Sequence, residues 1–209
     1  MGNLKAKNVP MIWGVILFDT IVILSICAPS ISTDDLFPKS DVLKYGTTGL
    51  APVAVLILSS LLPPAAKAVL VFWRLDHVLP GHRAFSHYAP KDPRINMDSL
   101  IKNVGALPTS PEEQNSAWYR LLKKVEGEES VSTAHRHFLL FRDLASVSAL
   151  LTPIIAGTLF VLGLPNISVG MGTGFLAFQY VITAVVARNH GIRLVTNVLA
   201  IHSSKKIRL

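Results

Sequence analysis

Charge and cysteine are both scarce in this sequence, and each scarcity excludes a class of protein. Only 16% of the residues are charged, whereas 50% are hydrophobic and the mean hydropathy is +0.45. Soluble domains rarely combine so little charge with so many apolar residues. The single cysteine, Cys27, excludes an intramolecular disulfide and a zinc site built from several cysteines. These features indicate a membrane protein.

Catalytic signatures are absent as well. No HExxH, GxSxG, Walker or DxD pattern occurs in the polar part of the sequence. The pairs His82/His87 and His135/His137 also lack the i, i+4 spacing of a zinc-binding helix. We therefore expect a protein that is not an enzyme and that holds no metal and no cofactor. A membrane-anchored enzyme that uses these histidines is the alternative.

Four long apolar runs account for the hydrophobic excess. Each reaches the roughly 20 residues that a helix needs to cross about 30 Å of hydrocarbon with its backbone polar groups paired internally. A cleaved signal peptide is the alternative for the first run, but the length of that run and Asp19 in its middle favour a span. The predicted fold class is therefore an all-α membrane protein with four transmembrane helices. The runs are Val9–Ile31, Thr47–Trp73, Phe138–Leu164 and Val169–Ala187.

The distribution of basic residues predicts the orientation of these spans. The N-terminal tail, the stretch 74–142 and the C-terminal tail hold 17 of the 20 Lys and Arg residues, which also explains the net charge of +7. Because basic segments stay in the cytoplasm, we expect an inner-membrane protein with both termini cytoplasmic. The expected domains are an N-terminal hairpin (1–73), a cytosolic insert (74–137), a C-terminal hairpin (138–187) and a basic tail helix (188–209).

Residues 74–137 are predicted to form a small helical insert between spans two and three. Met97–Val104 is predicted to be a short helix that Gly105 ends. A capping box at Ser110-Pro111-Glu112-Glu113 starts a second helix. A third helix is predicted to start near Ser130 or Ser132 and to continue into the third span. The second helix carries an apolar stripe formed by Ala117, Trp118, Leu121, Leu122 and Val125.

The C-terminal tail carries a narrow apolar seam of Ile192, Val195 and Leu199. Such a seam suits either self-association or packing on the insert. A small insert and an apolar seam leave hydrophobic surface uncovered in a single copy. We therefore expect a homo-oligomer embedded in the lipid bilayer.

One set of insert residues has the chemistry of a ligand site. Arginine suits phosphate groups, and Trp and Tyr rings stack on bases. The alternative is that these side chains only hold a small polar domain together. The set consists of Arg83, Arg94, Gln114, Asn115, Trp118 and Tyr119.

Three polar residues interrupt the apolar runs at a similar depth. Asp19, Lys67 and Gln179 lie roughly 10–16 Å from the cytoplasmic ends of their helices, at about 1.5 Å per residue. An ionisable group at this depth costs several kcal/mol unless it is paired or faces water. Two interpretations are open: an internal Asp19–Lys67 pair, or a polar layer that lines a pore between subunits.

Four segments of the polar part form a recognisable pattern. They are Leu79-Pro-Gly-His-Arg-Ala-Phe85, Asp92-Pro-Arg-Ile95, Gln114-Asn-Ser-Ala-Trp-Tyr119 and Arg142-Asp143. This pattern resembles that of a family of uncharacterised prokaryotic four-helix membrane proteins, although the family often has Cys where this chain has His82 and assigns no catalytic residue. Proteins of this kind are similar to membrane effectors of bacterial anti-phage defence systems, in which a cytosolic sensor part controls membrane damage.

Taken together, these features predict an oligomeric membrane effector or channel. Its cytosolic insert would sense a nucleotide, a nucleic acid or a protein, and its spans would change the permeability of the membrane. The resemblance implies a role in anti-phage defence. An accessory subunit of a larger transporter is a further alternative.

Overall fold

In the computed structural model, residues 6–27, 61–161 and 163–204 are described. Every regular element in these residues is helical, which confirms the predicted all-α class. Short 3-10 turns at Pro80–Arg83 and Ala89–Lys91 flank a π-helical turn at Ala84–Tyr88. The α-helices are α1 (Val9–Cys27), α2 (Pro64–Phe72), α3 (Met97–Val104), α4 (Pro111–Val125), α5 (Glu129–Val161) and α6 (Asn166–Ser204).

Within the described residues, three helices are long and apolar enough to cross a membrane: α1, α5 and α6. Large apolar side chains on α1 are more than half exposed, at 54–63% for Leu17, Phe18, Ile21 and Leu24. Such exposure is unfavourable in water but not in hydrocarbon. The chain is therefore a membrane protein. The second predicted span, 47–73, lies mostly outside the described residues, and α2 forms its described end.

One of the two longest helices follows the sequence prediction and the other does not. Helix α5 runs from Glu129 to Val161, which confirms that the helix predicted near Ser130 continues into the third span. The expected tail helix at 188–209 is not separate, because α6 runs without a break from Asn166 to Ser204. Nothing in 188–191 stops it: Gly191 is a packing position, where an added Cβ would lie 2.9 Å from the Phe72 ring and 3.2 Å from the Phe138 ring.

The chain divides into two compact units. The membrane unit comprises Met1–Leu70 and Asp143–Thr183, and the insert unit comprises Val71–Arg142 and Ala184–Leu209. The tail thus belongs to the same unit as the insert, whereas the sequence placed it in a domain of its own. The boundary between the units falls inside α2, α5 and α6, so each of these helices contributes residues to both units.

The core of the insert unit is formed by α3, α4 and the C-terminal part of α6. Leu100 of α3 and the apolar stripe of α4 are buried together with the α6 seam. Of the two roles predicted for that seam, packing on the insert is the one found within a single copy. The α6 residues in this core are Leu194, Val195, Val198 and Leu199. Val195 and Leu199 of the predicted seam are thus buried here, whereas Ile192 is only partly buried and lies outside this core.

Local capping fixes the ends of α3 and α4 where the sequence predicted them. The Ser110 hydroxyl accepts a hydrogen bond from the Glu113 backbone N–H at 3.4 Å, with Pro at the first helical position of α4. The Asn96 side chain caps α3 by accepting from the Ser99 N–H at 2.8 Å. Gly105, with a φ of 98°, ends α3 in a conformation that side-chain-bearing residues rarely adopt.

Two residues in the stretch after α2 have left-handed backbone conformations without being glycine. They are Trp73, with a φ of 52°, and His77, with a φ of 46°. This geometry turns the chain away from the axis of α2. It leaves the Trp73 ring half exposed, with the Arg188 guanidinium 6.0 Å from the ring centre.

The close packing at Gly191 predicts that Gly191→Ala destabilises the protein. The Phe72 and Phe138 rings that face this position are both buried and cannot swing into solvent, so the added methyl group overpacks the site. We expect a loss of about 1–3 kcal/mol, measured by thermal unfolding in detergent. Gly174→Ala in the same helix is the matched control, because nothing lies within 4 Å of its Cβ position. Equal stability of the two variants would contradict the packing role of Gly191.

Candidate functional site

The membrane unit contains a buried ion pair between α2 and α5. The Lys67 ammonium lies 3.1 Å from a carboxylate oxygen of Asp143, and the two side chains are only 7% and 13% exposed. The predicted Asp19–Lys67 pair is therefore wrong, and Asp143 takes the place assigned to Asp19. The physical reason is proximity: α5 presents a carboxylate to α2, and a buried cation needs such a partner.

A second polar group in the membrane unit joins α1, α5 and α6. The Gln179 side-chain amide donates to Asp19 Oδ2 and to the Ser148 hydroxyl, both at 3.0 Å. The structure thus brings together two of the three residues predicted to form a polar layer. The other carboxylate oxygen of Asp19, Oδ1, is buried and has no hydrogen-bond partner among the described residues.

The insert unit contains a cavity of about 150 Å³ with a strongly basic lining. Three arginines line it together with one histidine and two aromatic residues, and none of the described lining residues is acidic. The arginine cavity, as we call it, is lined by Phe72, Arg74, Arg83, His87, Tyr88 and Arg188.

Electrostatics in the arginine cavity are unfavourable when it is empty. Burial lowers the pKa of Arg83, and the positive charges of Arg74 and Arg188 act in the same direction, while Tyr88 opposes them. The Nε of Arg83 is buried and has no hydrogen-bond partner among the described residues. Buried polar atoms normally have partners. The cavity therefore has the charge and the free donor of an anion site.

Gln114 holds the turn that forms one wall of the arginine cavity. Its side-chain carbonyl accepts hydrogen bonds at 3.1 Å from the backbone N–H groups of Phe85 and Ser86 and from the Ser86 hydroxyl. Its amide donates to the Thr109 carbonyl at 3.0 Å. Gln114 is almost fully buried, so the amide anchors the π-helical turn from inside the unit. That turn directly follows Arg83 and itself contains His87 and Tyr88 of the cavity wall.

A close approach between Gly81 and α4 fixes the start of the same segment. An added Cβ at Gly81 would collide with the Asn115 side chain and lie 2.9 Å from the Trp118 ring. Asn115 and Trp118, both predicted ligand residues, thus pack beneath the segment that carries Arg83. Their side chains support the cavity wall without being part of its lining.

Arg94 is engaged in a different part of the insert unit. Its guanidinium forms an ion pair with Asp92 at 2.7 Å and donates at 3.0 Å to the side chains of Thr196 and Asn197 on α6. The hydrogen bond from Arg94 lowers the pKa of Asp92 to about 2, against partial burial, which acts in the opposite direction. Arg94 thus ties the loop before α3 to α6.

The six predicted ligand residues therefore do not form one surface. Only Arg83 belongs to the described lining of the arginine cavity. Gln114, Asn115 and Trp118 position that wall, and Arg94 is paired elsewhere. Tyr119 is half exposed on α4, with the Lys123 ammonium 5.6 Å from its ring centre.

Four of the seven histidines form two pairs of neighbouring rings. His137 and His190 are 4.9 Å apart between ring centres, and His77 and His82 are 5.4 Å apart. His77 also lies 3.3 Å from a carboxylate oxygen of Glu112. Within residues 6–27, 61–161 and 163–204, no group of three His, Cys, Asp or Glu side chains is arranged to hold a metal ion.

Sequence reasoning missed Asp143, Arg74 and Arg188. Asp143 lies inside the predicted third span, where an acidic residue signals a buried partner. Arg74 and Arg188 each directly follow a predicted span, and their charges were attributed entirely to topology. The positive-inside pattern predicts both on the same side of the membrane as Arg83, and that prediction was the available signal.

No protein-family model matches the chain, and no curated protein or solved structure is similar to it.

The Lys67–Asp143 pair predicts a specific pattern of rescue. Lys67→Met or Asp143→Leu alone leaves one buried charge without its partner, and we expect each to destabilise the protein by about 3–5 kcal/mol. The double variant removes both charges and should restore most of the stability, measured by unfolding in mixed micelles. Asp19→Leu combined with Lys67→Met is the matched control and should give no rescue. Rescue by the Asp19 combination instead would contradict the observed pairing.

The Asp92–Arg94 pair predicts a pH dependence of stability. The folded-state pKa of Asp92 is lowered to about 2 from an ordinary value of 3.8, so its contribution is present above pH 3.8 and is lost as the pH falls towards 2. We expect the melting temperature of the wild type to fall more steeply over this window than that of Asp92→Asn. Asp98→Asn, on the exposed first turn of α3, serves as the control. Parallel curves for wild type and Asp92→Asn would exclude the effect.

Proposed function

We propose that the chain is an oligomeric membrane effector or channel whose insert unit receives a signal and controls membrane permeability. The observation that carries this proposal is that α2 and α6 each contribute residues both to the polar contacts of the membrane unit and to the arginine cavity. Lys67 of the buried ion pair and Phe72 of the arginine cavity lie on α2. Gln179 of the polar group and Arg188 of the cavity lie on α6. A ligand in the cavity would act on helices that also carry the intramembrane polar residues.

The proposed topology is an inner-membrane protein of four spans, with α2 at the end of the second. An even number of spans puts both termini and the insert on one side of the membrane, and the basic residues make that side the cytoplasm. The arginine cavity then faces the compartment in which a cytosolic signal appears. Reporter fusions at residues 110 and 209 should accordingly both be cytoplasmic.

The polar residues of the membrane unit supply an element that permeation could use. Asp19, Gln179 and Ser148 are a carboxylate, an amide and a hydroxyl bonded to one another within apolar helices. In the proposed closed state, the Gln179 amide donates to both Asp19 and Ser148. In the open state, a shift of α6 separates Gln179 from Asp19 and lets water or ions replace the lost hydrogen bond. Intramembrane ionisable residues commonly mark such pathways.

Homo-oligomerisation is part of the proposal, with support from α6. Its apolar side chains Phe178, Val181, Ile182 and Val185 are 39–66% exposed in one copy. These side chains face lipid or an equivalent helix of another copy. By analogy with the resemblance in the insert, the assembled protein would act in anti-phage defence by damaging the membrane.

Ion flux in liposomes tests the proposal through Gln179→Leu. The variant removes a hydrogen bond to a charged group, worth about 1.5–3 kcal/mol, and so should raise basal flux by about tenfold or more. Phe160→Leu, at an exposed residue of α5 outside the proposed α6 contact face, is the control and should leave flux at the wild-type level. Expression of Gln179→Leu should also slow cell growth. Folded Gln179→Leu protein with no more flux than Phe160→Leu would refute the channel role.

A further inference from the structure

From the arginine cavity, we infer that the insert unit binds a phosphate group presented by a larger molecule. The inference deepens the proposed function, because it rests on the insert as the sensing part and names the chemistry it senses. Three guanidinium groups converge on one small cavity, and arginine pairs with phosphate through two parallel N–H···O bonds. The described lining offers no carboxylate that would neutralise them.

The cavity is large enough for one chemical group of a ligand, such as a phosphate, but too small for a complete drug-sized ligand. A cavity of about 150 Å³ holds something the size of a benzene ring, whereas pockets for complete drug-sized ligands measure about 300–1,000 Å³. A phosphate group fits this volume, and a complete nucleotide does not. The rest of the ligand therefore stays outside, and only its anionic end is enclosed.

Arg83 has a buried donor and two neighbouring positive charges, and both features favour the binding of an anion. Its Nε is a buried donor without a described partner, and its guanidinium is close enough to Arg74 and Arg188 for their charges to lower its pKa. A bound anion supplies the missing acceptor and relieves the repulsion among the three cations. His87 adds a ring nitrogen at the same cavity, and partial burial together with Lys91, Arg83 and Arg74 lowers its pKa and favours the neutral form. A neutral imidazole adds a directional donor without adding repulsion.

The scaffold of the cavity is rigid enough to hold this geometry before a ligand arrives. Gln114 accepts three hydrogen bonds from the turn that follows Arg83 and donates a fourth to the Thr109 carbonyl. The Arg188 guanidinium lies over the Trp73 ring. A preorganised site loses less entropy on binding than one that must be assembled. Gln114 is therefore a positioning residue for the phosphate site.

Two sources present a phosphate group of this kind. One is the headgroup of an anionic phospholipid, since Trp73 beside the cavity is a residue type enriched at the level of lipid headgroups. The other is a soluble phosphate compound in the cytosol, such as a nucleotide. The chemistry recognised is the same, so the experiment has one arm for each source.

In the first arm, inorganic pyrophosphate is titrated into the full chain in a neutral detergent at low salt, and binding is followed by calorimetry. In the second arm, the protein is placed in nanodiscs of phosphatidylcholine with or without phosphatidylglycerol, and bound phosphatidylglycerol is counted by native mass spectrometry. Each arm compares wild type, Arg83→Gln and Arg120→Gln. Arg120 is exposed on α4 outside the cavity, so its variant loses the same charge and serves as the matched control.

We expect Arg83→Gln to weaken binding at least about tenfold in one arm, while Arg120→Gln changes it less than about twofold. Loss in the pyrophosphate arm identifies a soluble ligand, and loss in the phosphatidylglycerol arm identifies a lipid. Arg83→Lys, which keeps the charge but loses the guanidinium fork, should also bind weakly and covers the case in which Arg83→Gln does not fold. Equal binding by the Arg83 and Arg120 variants in both arms overturns the inference. Neither arm measures flux. Failure of the Gln179→Leu flux test would therefore refute the channel role and leave the phosphate site standing.

Discussion

A charge buried in hydrocarbon costs several kcal/mol unless a partner compensates it, and this cost organises the membrane unit. Lys67 is deep in an apolar run, and its ion pair with Asp143 fixes α2 against α5. Gln179 joins α1 and α6 through Asp19 and reaches α5 through Ser148. The hydrophobic effect does not drive helices together in lipid, because lipid tails are as apolar as the side chains. These few polar bonds therefore specify which helices are neighbours.

The insert unit is organised instead by the burial of apolar side chains. It buries an apolar core between α3, α4 and the C-terminal part of α6, as a domain in water does. One side-chain amide, that of Gln114, then substitutes for backbone partners and holds an irregular turn over that core. Because the core and the amide fix the turn, Arg83 remains close to other guanidinium groups despite their repulsion. The cavity is thus a consequence of packing rather than of attraction among its own residues.

The ends of short helices could be predicted from the sequence, whereas the partners of buried polar side chains could not. The ends of α3 and α4 were predictable because Ser110 and Gly105 act within one turn of their own position. The partner of Lys67 was not, since the correct choice required knowing that α5 adjoins α2. Gln114 was assigned to a ligand because a sequence does not show whether a polar side chain is satisfied internally. The sequence did not single out Arg74 and Arg188 as site residues, because every basic residue beside a span is already explained by the positive-inside rule.

The left-handed backbone at Trp73 and His77 has an energetic consequence for the link between α2 and the insert. A side-chain-bearing residue in this conformation costs about 1–2 kcal/mol, and such strain persists only where its surroundings enforce it. The link therefore stores conformational strain. The Arg188 guanidinium, which lies over the Trp73 ring, restrains one end of it. Any event that draws Arg188 away from that ring removes part of the restraint, and the relaxation of the link then favours a new direction for the end of α2.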